Sequence, residues 1–119
     1  MNEFEAYQNT AVMTQSRGRL IVMLYDGAIK FLKLAIREIE AKNFEAKGKY
    51  LTRAQDIIFE LNAVLDMESG GEIAENLRKL YLYMNSRLND ANIKMDTDIV
   101  NEVISLLSEL NRSWKAIAD

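Results

Sequence analysis

Cysteine, histidine and proline are all missing from these 119 residues, and glycine appears only five times. Without cysteine there are no disulfides, no thiolate nucleophile and no thiolate metal site. Without histidine there is no imidazole base, no Ser-His-Asp triad, no phosphohistidine and no His-bearing di-iron centre of the kind some helical bundles carry. No enzyme activity, catalytic group, cofactor or metal is therefore expected. Without proline the chain has no obligatory kink, which favours long uninterrupted helices. The N-terminus, Met1-Asn2-Glu3-Phe4-Glu5, lacks both the basic region and the apolar run of a secretory signal. Apolar stretches such as Leu20 to Tyr25 are far shorter than the ~20 residues that span a bilayer. A cytoplasmic protein with no membrane insertion is the expectation.

What is present is a strong helical period. Hydrophobic residues make up 49% of the chain, enough for one core, and the length fits one domain over 1–119. Segment 17–41 repeats at Leu20, Leu24, Ala28, Phe31, Leu32, Ala35 and Ile39, with Ser16 as a candidate N-cap. Segment 45–67 repeats at Tyr50, Leu51, Ala54, Ile57, Ile58, Leu61, Val64 and Leu65, and Ser69-Gly70-Gly71 is read as its stop. Segment 72–91 repeats at Ile73, Leu77, Leu80, Tyr81, Met84, Leu88 and Ala91. After a connection over 92–95 and a candidate cap at Asp96, segment 96–118 repeats at Ile99, Val100, Val103, Leu107, Leu110, Trp114 and Ile117. These are the i, i+3, i+4, i+7 stripes that amphipathic helices bury. Short connections force consecutive helices to run antiparallel. The expected fold is all-α, an antiparallel up-down four-helix bundle. Residues 1–15 precede it, and Phe4, Tyr7, Val12 and Met13 are apolar enough to make a docked N-terminal segment.

The formal net charge is −3. Acids and bases balance up to residue 95, and the excess comes from Asp96, Asp98, Glu102, Glu109 and Asp119 against Arg112 and Lys115. The sequence shows no basic stripe along one face, so nucleic acid is not an expected partner. The acidic last helix fits either a solvated face or a basic partner. Arg37, Arg53, Arg78 and Arg87 would have to converge on one cavity to bind a dicarboxylate, as in all-helical chorismate mutases. Their positions relative to the apolar stripes put most of them on polar faces.

The apolar surface exceeds what four helices hide from one another. Val22, Met23, Ile29, Leu34 and Ile36 widen the first stripe beyond the arc of about 100° that packing needs. Phe59 and Leu82 point away from their own stripes, and Tyr83 stands at a flank. A contiguous exposed apolar patch marks a partner site, and a groove between helices suits an amphipathic helix. A self-associating helical adaptor would use the same surplus.

Leu20-Ile21-Val22-Met23-Leu24-Tyr25-Asp26-Gly27-Ala28-Ile29 resembles the segment that opens the first helix of the flagellin export chaperones. The run from Leu65 through Asp66, Ser69-Gly70-Gly71 and Asn76 to Leu77, followed by Leu80-Tyr81 and Tyr83, resembles their turn between the second and third helices. Ala91-Asn92, Asp96, Glu102-Val103, Leu106-Leu107, Leu110 and Trp114 are similar to the family's ending. With Tyr7 and the Thr14 to Ser16 entry, the resemblance covers about residues 7–114. Where the family often has Ser-Pro-Glu-Lys, this chain has Ser16-Arg17-Gly18-Arg19, which loses a favourable first-turn proline and leaves the binding logic intact. The resemblance implies a cytoplasmic chaperone, mainly monomeric when free. It would bind the disordered C-terminal segment of flagellin, with the export apparatus and other flagellar regulators as further partners. It also implies an N-terminal segment that occupies part of the site, anchored by Tyr7, and yields to flagellin. The candidate partner contacts are Tyr7, Val22, Tyr25, Ile29, Phe59, Leu82 and Tyr83.

Overall fold

A computed structural model describes residues 17–117; residues 1–16 and 118–119 fall outside the description, and with them Tyr7, the Ser16 cap and the docking of the N-terminal segment. Four helices make up the described chain: α1 (Arg17–Glu40), α2 (Phe44–Ala63), α3 (Met67–Lys94) and α4 (Thr97–Ile117). Each of α1 and α3 packs on both α2 and α4, so the helices form a closed four-cornered ring. Cross-links between neighbours fix the directions. Arg17 at the start of α1 donates to the Val64 carbonyl just past α2, and Lys47 near the start of α2 donates to the Asn92 carbonyl near the end of α3. Tyr25 of α1 meets Trp114 of α4. Every adjacent pair is antiparallel, as the short connections require.

The core follows the helical period. Tyr25, Ala28, Leu32, Ala35 and Ile39 bury one face of α1, and Leu51, Ala54, Ile58 and Leu61 bury the matching face of α2. Met84, Leu88, Val100, Val103 and Leu107 fill the other half. Packing of these stripes, rather than intrinsic propensity, supplies most of the helices' stability.

The turn between α2 and α3 differs from the sequence expectation. α2 ends at Ala63, not 67, and the Asp66 carboxylate accepts the Ser69 N–H at 3.0 Å, so α3 already begins at Met67. Gly70-Gly71 therefore stands inside α3, where it breaks the helix after one turn. Gly71 holds φ 54°, ψ −131°, a region open essentially to glycine alone. α3 also runs on through Lys94, where Met95 in the left-handed conformation closes it. Asp96 then caps α4 as expected, its carboxylate accepting the Asp98 N–H at 2.9 Å.

Candidate partner-binding surface

The start of α1, the end of α2, the start of α3 and the end of α4 share one end of the bundle. A groove of about 420 Å³ opens there, with Ile21, Leu61, Leu65, Leu77, Tyr81 and Trp114 among its lining. A second, of about 630 Å³, continues from it between α1 and α2 over Leu20, Ile21, Leu24, Val64 and Leu65. Arg17 and Asp66 line both. Leu20, Ile73 and Ile117 belong to the core stripes by period, yet all three are exposed, Ile73 by 73% and Ile117 by 74%. They lie within the first or last two turns of their helices, beyond the reach of neighbouring side chains. Period alone does not register that the stripe runs off the end of the bundle. Together with Met23 and Met67, they make this end of the molecule apolar on its outside.

The expected contacts do not gather in one place. Phe59 and Leu82 are 54% and 50% exposed on the α2–α3 seam. Gln55 of α2 donates to Asn89 and to the Asn85 carbonyl of α3, and antiparallel packing places Phe59 and Leu82 about one turn further along that seam. Tyr83 is exposed on the other flank of α3, where its hydroxyl donates to Glu102 of α4. Ile29, half-buried, faces the α1–α4 groove, and Val22, one helical face-repeat earlier, is half-buried on the same flank. Tyr25 has to be corrected: it is wholly buried, because it shares its face of α1 with Ala28, Leu32 and Ala35. It is a core residue and not a surface contact. Tyr7 lies outside the described residues.

Tyr25 is instead the middle of a buried polar chain. The Trp114 indole N–H donates to its hydroxyl at 3.2 Å, and that hydroxyl is hydrogen-bonded to the hydroxyl of Tyr81. Burial pushes both phenols above their ordinary range; at Tyr25 the hydrogen bonds from Tyr81 and Trp114 pull partly the other way. Tyr81 and Trp114 also line the end groove, so its floor rests on a satisfied polar network. On the α3–α4 seam the Tyr83 hydroxyl and the Arg87 guanidinium, at 3.2 Å, both serve Glu102 and hold its carboxyl below the usual range.

A model of the family described as flagellar protein FliS matches residues 1–119. The chain belongs to the FliS family. It is 40% identical over 114 residues to the flagellar secretion chaperone FliS of Bacillus subtilis, covering 96% of this chain and 84% of that one. To the Salmonella typhimurium chaperone of the same name it is 46% identical over 110 residues, covering 92% and 82%. The flagellar secretion chaperone FliSB of Pseudomonas aeruginosa is 36% identical over 122 residues, covering 99% and 97%. FliS proteins are chaperones and not enzymes. The arginines agree with this: Arg53 lies over the Phe31 ring at 5.6 Å, Arg87 is paired with Glu102, and Arg37 of α1 and Arg78 of α3 are exposed. They do not converge on a cavity. Among the described residues no helix is long and apolar enough to cross a membrane.

Proposed function

We propose that this chain is a cytoplasmic flagellar secretion chaperone for flagellin. It binds the disordered C-terminal segment, prevents premature polymerisation and delivers the subunit to the type III export apparatus. The observation that carries this reading is the apolar surface of the bundle end, continued along α2 and α3 by Phe59 and Leu82. That distribution suits a disordered segment that folds as it wraps, because such segments cover large surfaces through several separated anchors. It suits a single compact ligand poorly. Burial of amphipathic helices needs no titratable chemistry, in keeping with a chain that has neither histidine nor cysteine.

Residues 1–15 are part of the proposal. Arg17, where that segment enters α1, lines both end grooves, so Phe4, Tyr7, Val12 and Met13 are within reach of the same surface. The segment covers it in the free, mainly monomeric chaperone and is displaced by flagellin. A cover subtracts its own docking free energy from the apparent affinity.

The test is calorimetric titration of a flagellin C-terminal peptide into the full chain, the deletion of residues 1–13, and Tyr7→Ala. We expect a 1:1 complex, added ellipticity, a negative heat-capacity change and tighter binding by both variants. Absence of heat and of added helix at micromolar concentration would refute the function. Weaker binding by both variants would make the segment part of the site rather than its cover.

A further inference from the structure

The groove along α1 and α4 has a different character from the apolar end. Lys33 of α1 and Arg112 and Lys115 of α4 line it, Lys30 and Arg37 stand on the adjoining outer face of α1, and Asp26 is the single carboxylate among the described lining residues. That carboxylate is already engaged, by the Asn111 amide at 2.8 Å and by Lys115 at 3.3 Å. Arg37 stands 3.8 Å from Glu38, its neighbour in sequence. Lys30, Lys33 and Arg112 make no ion pair with any described residue. Among the described residues a concentration of unpaired positive charge therefore stands on this flank of a chain whose net charge is −3. On α4, Glu102 turns to Tyr83 and Arg87 on the α3 side, while Arg112 and Lys115 turn to α1.

We propose that the α1–α4 groove binds an acidic amphipathic helix of a partner protein. The carboxylates of that helix pair with Lys33 and Arg112 in the groove and with Lys30 and Arg37 at its outer lip, and its aliphatic side chains rest on Ile29. The geometry matches that occupant. Lys30, Lys33 and Arg37 stand at i, i+3 and i+7, a row of about 10 Å along the axis, and acids at the same spacing on an incoming helix form the complementary row. Ile29 is half-buried in the groove wall, an apolar contact beside the charges. Nucleic acid fits less well, because among the described residues no aromatic side chain lines the groove to stack a base. A membrane surface fits less well too, because the site is a concavity between two helices. This surface is separate from the apolar one assigned to flagellin, so each can fail without the other.

The experiment uses the full-length chain and a fluorescein-labelled synthetic helix of about 20 residues, with glutamate along one face and leucine beside it. An otherwise identical peptide carries glutamine in place of glutamate. We expect the glutamate peptide to bind at least about tenfold more tightly, and its binding to weaken steeply between about 50 mM and 500 mM salt. The double variant Lys33→Glu, Arg112→Glu should lose this binding at least about tenfold with unchanged circular dichroism, while Phe59→Ser should bind the peptide like the parent chain. Equal binding of the two peptides, or indifference to the charge reversal, would overturn the proposal. So would tighter, reversal-sensitive binding of a single-stranded oligonucleotide or of phosphatidylglycerol vesicles, because the groove would then belong to a different class of ligand.

Discussion

Phe59 and Leu61 stand two residues apart on α2 and meet opposite surroundings. Leu61 is 1% exposed in the core, whereas Phe59 stands more than half in water. Leu61→Ala should cost about 2–5 kcal/mol by opening a cavity, read as a lower denaturation midpoint. Phe59→Ser should leave that midpoint nearly unchanged and weaken flagellin-peptide binding. A melted Phe59→Ser with intact binding would remove the α2–α3 flank from the site. The buried phenols give a second residue-scale outcome. Tyr25 and Tyr81 are both pushed above the ordinary phenol value of 10.0, so the folded state holds protons that the unfolded chain releases near pH 10. Their contribution is complete below that pH and is lost progressively above it, as pH climbs toward the raised folded-state values. Chemical denaturation followed from about pH 9 to about pH 11 should therefore fall more steeply for the parent chain than for Tyr25→Phe, Tyr81→Phe. Outward residues such as Phe59 and Leu82 were legible from helical period alone. Tyr25 was not: its period places it in the core stripe, but its setting in the apolar opening of α1 drew it into the contact set.

At the scale of the element, α3 carries the departure. Its first turn rests on the Asp66 cap, and Gly71 then redirects the chain before the long helix proceeds. A Cβ at Gly71 would meet no atom within 4 Å, so the cost of Gly71→Ala is the backbone conformation itself, about 1–3 kcal/mol. Gly70 differs, since a Cβ there would come within 2.6 Å of the Ala74 Cβ. We expect Gly71→Ala to lower the midpoint by that amount, measured by urea denaturation, and to disturb the apolar end more than the α1–α4 groove. A Gly71→Ala chain as stable as the parent would show that the break is not needed. The sequence presents Ser69-Gly70-Gly71 as a helix stop because glycine does end helices, and the earlier signal, Asp66 three residues before Ser69, is the one the fold obeys.

At the scale of the molecule, the bundle and its order were legible because four stripes with short connections leave few alternatives. The basic groove was not. Lys30, Lys33 and Arg37 share a face of α1, and Arg112 and Lys115 share a face of α4, but some seventy-five residues separate the two sets. Only the packing of the first helix on the last makes them one surface. Charge summed along the chain instead marks the last helix as acidic, which is true of its composition and untrue of the face it turns to α1. That same closure has a consequence for the chain's synthesis. A ribosome delivers α1, α2 and α3 first, and they can begin to associate while α4 is still being made. Until α4 comes back against α1, there is no Trp114 beneath the end groove and no second wall to the basic one. A nascent chain therefore presents neither docking surface in finished form, and the capacity to hold a partner arrives with the last helix.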